Sequence, residues 1–216
     1  MIYIKRYNLC YIRVPKNASS SVMQYLYHNV CDKENDLITH GILDYPNKVS
    51  FINLPKLEHS HVDVQFAIDE LGVPKNARFI GIIRHPLEKQ ISLYIFRVKR
   101  GYYKELSVDH FRSLLVNGEL EDYRYWQTQH QHTYLEYNGQ QIGEWWSYDH
   151  VQDHLKLLMN ELQLKEKFPL QKLNSTPGDK KKLIEVFYDD KSKLEAEKAF
   201  AKDIELYERI NKKWNF

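Results

Sequence analysis

Apolar and polar positions along the chain switch between a short, continuous pattern and a helical one. Leu9-Cys10-Tyr11-Ile12-Arg13-Val14 is a β-rich apolar run that stops at Pro15, and it predicts a buried strand. From Ser19 onward Val22, Tyr25, Leu26 and Val30 fall at helical spacing behind a Ser-rich first turn, and serine is a residue type that caps helix starts. Residues 49–54 predict a second strand ended by Pro55, and residues 62–71 a helix stopped by Gly72-Val73-Pro74. Arg78-Phe79-Ile80-Gly81-Ile82-Ile83 is the clearest strand, a run of the kind buried in parallel sheets. Pro86 then occupies the first turn of the next helix, which carries Ile91, Tyr94, Ile95 and Val98 on one side. Residues 111–116 and 123–135 read as helices, 142–148 as a strand and 151–162 as a helix. Residues 191–213 read as one long last helix, with Leu194, Phe200, Ile204, Tyr207, Ile210 and Trp214 near a helical repeat. Strands alternating with helices predict an α/β fold with a mainly parallel sheet, whose ligands bind beyond the C-terminal strand ends.

Composition narrows this picture. The 216 residues, 43% of them hydrophobic, suffice for one domain (1–216) with a sizeable core and are too few for two comfortable ones. A net charge of +2 argues against a dedicated nucleic-acid binder. The two cysteines, Cys10 and Cys31, imply no disulfide framework. The N-terminus lacks a signal-type apolar region, and no run of about 18 apolar residues occurs. The expectation is a soluble, cytoplasmic protein with no membrane partner. Sixteen Tyr and four Trp suit a cleft with flat walls, but equally an aromatic core.

Two segments carry chemistry. Pro15-Lys16-Asn17-Ala18-Ser19-Ser20-Ser21 joins a strand to a helix, a turn that presents backbone N–H groups and a helix N-terminus to an anion. Lys16 adds a full charge and the serines add adjustable donors. The segment lacks the glycines and order of GxxxxGK[ST], which disfavours a nucleoside-triphosphate kinase. In Ile83-Arg84-His85-Pro86-Leu87-Glu88-Lys89-Gln90-Ile91-Ser92, Arg84 ends the best strand and Ser92 lies two turns into the helix. A guanidinium fork and a hydroxyl converging there suit a second phosphate.

These segments resemble the two donor-binding motifs of sulfotransferases that use 3′-phosphoadenosine 5′-phosphosulfate (PAPS), most closely the carbohydrate (heparan/uronyl) 2-O type. Those motifs read approximately P-K-[TC]-[AG]-[SG]-T-S and R-D-P-x-E-R-x-x-S-x-Y. This chain has Asn17 for a common Thr, His85 for Asp and Lys89 for Arg, and keeps Arg84, Pro86, Glu88, Ser92 and Tyr94. The likeness continues in His59-Ser60-His61-Val62, in Tyr94-Ile95-Phe96-Arg97 and in Leu173-Asn174-Ser175-Thr176, while residues 104–138 match poorly. The resemblance implies a three-layer, P-loop-like α/β domain with helices flanking the sheet. It implies that Lys16, Asn17, Ala18, Ser19, Ser20 and Ser21 hold the 5′-phosphosulfate and that Arg84 and Ser92 hold the 3′-phosphate. Asn174 and Ser175 would return to the donor.

Sulfuryl transfer needs an acceptor hydroxyl in line with the leaving phosphate, a base, and positive charge on the leaving oxygen. Lys16 suits the last task. His61 is the expected general base, because an imidazole accepts a proton at neutral pH, with His59 the alternative or an orienting partner. No metal is required, since fixed cations can suffice. The His130/His132 pair, and His150/His154 beside Asp149 and Asp153, lack HExxH order and an evident third ligand, and read as solvent-facing polar residues. The resemblance implies a small-molecule or carbohydrate acceptor. The rival readings are a P-loop-like nucleotide or small-molecule kinase and an inactive carbohydrate-binding relative.

Overall fold

The computed structural model describes residues 1–32, 35–38, 61–101, 107–117, 130–172 and 180–214. Its centre is a five-stranded sheet. Strands β1 (Ile2–Ile4), β2 (Leu9–Tyr11), β3 (Leu37–Ile38), β4 (Arg78–Ile83) and β7 (Glu144–Ser147) lie in the order β3-β1-β2-β4-β7. β2, β4 and β7 run parallel, in register from Leu9↔Arg78 to Tyr11↔Ile80 and from Ile80↔Glu144 to Ile83↔Ser147. β1 joins β2 antiparallel and β3 joins β1 antiparallel, so the expected parallel arrangement holds for the three strands from β2 to the β7 edge. A separate hairpin pairs β5 (Glu136–Tyr137) with β6 (Gln140–Gln141).

Successive strand residues point to opposite faces, and both faces here are apolar. Ile2, Ile4, Leu9, Tyr11, Ile80, Ile82 and Trp146 pack with α1 (Ser19–Asn29) and α5 (Val151–Glu161). Tyr3, Cys10, Phe79, Ile83 and Trp145 pack with α2 (Val64–Asp69) and α8 (Ala201–Lys212). The result is helix, sheet, helix. Gly81 is required by a close approach: a Cβ there would lie 2.9 Å from Cζ3 of Trp145. A third cluster joins α3 (Pro86–Lys99), α4 (Val108–Asn117), α6 (Lys180–Phe187) and α7 (Asp190–Ala199) around Leu87, Leu93, Phe111, Phe187 and Phe200. No described helix is long and apolar enough to cross a membrane.

Three expectations change. The long last helix is two helices, broken at Phe200, whose φ of −107° and ψ of 22° leave the helical region. α7 delivers Ala196 to the third cluster, where Phe200 also packs, whereas α8 delivers Leu206 and Ile210 to the sheet, so one straight helix could not serve both. Within the predicted helix 123–135, residues 132–135 form a 3-10 turn, and residues 123–129 lie outside the described residues. The serines do not cap α1. Its N-cap is Ala18, and no side chain bonds there. The predicted strand 49–54 also lies outside the described residues.

Candidate functional site

The loop after β2 has an unusual backbone. Lys16 (φ 65°) and Ala18 (φ 56°) are both left-handed, a region that costs a residue with a Cβ about 1–2 kcal/mol. The intervening Asn17 is fully buried, and its Nδ2 donates to the carbonyl of Ile82 at 2.6 Å and to Oε1 of Gln131 at 2.5 Å. Its side chain is therefore used inside the fold, and what Asn17 can offer an anion is its backbone N–H. Such an alternating turn running into an uncapped helix N-terminus turns several N–H groups outward. Ser19 and Ser21 are buried in the first turn and Ser20 is half-buried, with Nη2 of Arg13 at 3.5 Å from its Oγ. Ala18→Gly should relieve strain and raise the melting temperature of the ligand-free protein by a few degrees, readable by calorimetry. An unchanged or lower midpoint would mean that the Ala18 backbone stores no strain.

Arg84 follows β4 directly. Its Nη1 donates to the carbonyl of Lys16 at 3.2 Å, its Nε pairs with Glu88 at 3.1 Å, and the guanidinium lies 4.6 Å from the Tyr148 ring centroid. Lys16 lies with Nζ 4.0 Å from the centroid of the Phe96 ring, whose face Arg100 shares at 5.5 Å. Burial lowers the Lys16 ammonium to about 8, and the charges of Arg84, Arg97, Arg100 and Lys99 add to the effect. Arg97 is buried on α3. Arg13 is buried beneath the loop, and burial lowers its guanidinium to about 10. This gathering of cations around Lys16, from the β4 end and from α3, is an arrangement that suits an anionic ligand. Ser92 is buried on α3 within the same helix.

His61 is half-buried just ahead of α2, with Nδ1 2.7 Å from the carbonyl oxygen of Arg13. A carbonyl only accepts, so Nδ1 carries the proton and Nε2 is the nitrogen with the lone pair. Burial, reinforced by the Arg13 charge, holds the imidazole well below its ordinary value of 6.5. His61 is thus neutral at neutral pH, with Nε2 its unprotonated nitrogen. His59, Asn174 and Ser175 lie outside the described residues.

The structure therefore brings Lys16, Asn17, Ala18, Ser19, Ser20, Ser21, Arg84 and His61 around the ends of β2 and β4. The sequence places Arg97 within a family-like segment but gives no site role to it, to Arg13 or to Gln131. Arg13 had a signal: a charge inside an apolar run predicted to be a buried strand. Of the other histidines and their acidic neighbours, His130, Asp149 and Asp153 are exposed as expected, whereas His132 and His154 are drawn into the fold. His154 accepts the Ser147 N–H at 3.0 Å and stacks on Trp146, and burial lowers it to about 4. His132 bonds Asp203 at 2.7 Å. Donor atoms of His130, His132 and Asp203 lie within 4.8 Å of one another, but the Asp203 oxygens already accept two backbone N–H groups and the His132 ring. A cleft of about 750 Å³ runs along the outer edge of β7 between α5 and α8, and none of the predicted site residues line it. The candidate site therefore rests on charge and loop geometry rather than on this cleft.

A family model described as Sulfotransferase family matches residues 1–208, a span that includes the whole sheet and both cation-bearing strand ends. No curated protein and no solved structure matches the chain. A match over so much of the sequence settles the wider question, and the chain belongs to the sulfotransferase family.

Proposed function

We propose that this protein transfers a sulfuryl group from PAPS to an acceptor hydroxyl, and that its α/β domain is of the P-loop-like type. The observation that carries the reading is the convergence of Lys16 and Arg84, on separate strand ends, linked by the Arg84 bond to the Lys16 carbonyl at 3.2 Å. Two anchors at adjacent strand ends suit a ligand with two anionic groups, and PAPS has a 5′-phosphosulfate and a 3′-phosphate. The Lys16–Ser21 loop takes the first through N–H groups and the ammonium, and Arg84 with Ser92 takes the second. Asn174 and Ser175 complete the donor site, and a sugar hydroxyl is the acceptor class that the 2-O resemblance supports.

PAPS, when bound, supplies an activated sulfuryl group whose leaving group is 3′-phosphoadenosine 5′-phosphate (PAP). Lys16 places positive charge beside the leaving 5′-phosphate oxygen. His61 takes the acceptor proton at Nε2, held in orientation by its Nδ1–H bond to the Arg13 carbonyl. His59 supports or orients it.

PAP without divalent metal is expected to raise the melting temperature by several degrees, and ATP with Mg²⁺ to leave it unchanged. The opposite pattern would favour a nucleotide kinase and overturn the reading. Turnover of labelled PAPS with sugar acceptors then separates an enzyme from an inactive sugar-binding relative.

A further inference from the structure

We propose that Gln131, held by Asp203 and His132, is a positioning residue that locks the two phosphate anchors into one geometry. This rests on the donor-site reading above.

Gln131 is fully buried, and four of its hydrogen bonds reach three distant segments. Its Oε1 accepts from Asn17 Nδ2 at 2.5 Å and from the Arg84 backbone N–H at 3.1 Å. Its Nε2 donates to the Arg84 carbonyl at 2.9 Å, and its backbone N–H donates to Asp203 Oδ2 at 2.8 Å. The two bonds to Arg84 fix which end of the amide is oxygen, and that in turn fixes the Asn17 amide. One side chain therefore ties the middle of the Lys16–Ala18 turn to the residue carrying the second anchor.

Asp203 supports this tie from α8. It is buried, and Oδ1 accepts the His132 backbone N–H at 2.9 Å and its Nδ1–H at 2.7 Å. Burial alone would raise its carboxyl. The His132 ring, two backbone N–H groups and the nearby Lys89 charge hold it below the ordinary value instead. Asp203 is thus a fixed anion that holds residues 131 and 132, and it touches neither anchor loop in this network. A buried network with partners on both sides is stiff, and removing one member leaves buried polar groups exposed to the full cost of desolvation. The left-handed Lys16 and Ala18 are the positions where such a restraint matters, because the turn would relax without it.

The test compares wild type with Gln131→Met, which removes the tie at similar volume, and with Asp203→Asn, which acts one step further away. Val73→Ala is the control, a core cavity on the connection into the N-terminal end of β4, at the opposite end of the strands from the site. Two quantities are read: hydrogen exchange of the hydrogen-bonded amides among residues 22–25 and 84–90 in the ligand-free protein, and PAP affinity by calorimetry. Gln131→Met should speed exchange in both segments at least tenfold and weaken PAP at least tenfold. Asp203→Asn should do the same more weakly, and Val73→Ala should lower the melting temperature without either change. Exchange in both variants that matches the control would overturn the positioning role, even if stability falls. Should Gln131→Met not fold, Asp203→Asn decides by the same criterion. Wild type that fails to bind PAP would overturn the donor reading alone, because the exchange arm needs no ligand.

Discussion

Lys16→Met should lower sulfuryl-transfer turnover by roughly 10²–10³ and yet make the ligand-free protein more stable. The two effects share a cause. Lys16 is half-buried among Arg84, Arg97, Arg100 and Lys99, and its ammonium is lowered from 10.5 to about 8. The unfolded chain therefore holds this proton more tightly than the folded one. Between pH 8 and 10.5 the unfolded state binds more protons, so stability rises with pH across that window. Below pH 8 the folded protein carries the full cost of a crowded cation. Methionine keeps most of the aliphatic stem and removes that cost, a gain on the order of 1–3 kcal/mol after allowance for solvent reaching the ammonium. The gain should shrink between pH 7 and 9.5. An anion in the loop repays the wild-type protein, so PAP affinity should fall as pH rises above about 8, with proton uptake on binding there. Calorimetry in buffers of different ionisation enthalpy measures that uptake. Equal stability of both proteins at pH 7, with PAP affinity unchanged by the substitution, would remove Lys16 from the site.

Much of this site was legible because its parts are local. A strand ending at a polar turn, followed by a helical repeat, is written in consecutive residues, and both anchor segments have that form. Arg78–Ile83 matches its expected bounds because a run buried on both faces has no polar interruption to blur it. β1 was not foreseen: three apolar residues followed by Lys5 and Arg6 are too short a pattern to read. The break at Phe200 was hidden because no Gly or Pro marks it and the apolar spacing runs on across it. Gln131 was unreadable for a different reason. Glutamine has no charge or metal-binding signature, and its partners Asn17 and Asp203 stand 114 and 72 positions away. Of the two readings of the serines, cap and donor, the structure removes the first: the N-cap is Ala18, and no side chain bonds there. Local chemistry names the candidate anchors, and only tertiary contact brings Gln131 between Asn17 and Arg84.

His61→Ala should cost about 10²–10⁴ in turnover while PAP binds with near-normal affinity, which sets it apart from Lys16→Met. The distinction follows from what each group touches. Lys16 belongs to the loop proposed to meet the donor, whereas His61 is held by the Arg13 carbonyl through Nδ1, which leaves Nε2 as the nitrogen proposed to accept the proton. The same geometry sets the pH profile. Because burial and Arg13 hold the imidazole well below 6.5, the neutral base persists as pH falls through 6.5. The acidic limb of kcat/KM should therefore lie below the ordinary histidine value, with activity lost only as pH falls through the lowered ionisation. His61→Gln keeps a donor toward Arg13 but supplies no base, so it should be as inactive as His61→Ala and should lose the acidic limb from its residual rate. If His61→Gln retained near-normal turnover, the side chain would be a structural link to Arg13 and the base would lie elsewhere. A profile that keeps its acidic limb in both variants would exclude His61 in the same way, since the limb belongs to whichever group takes the proton.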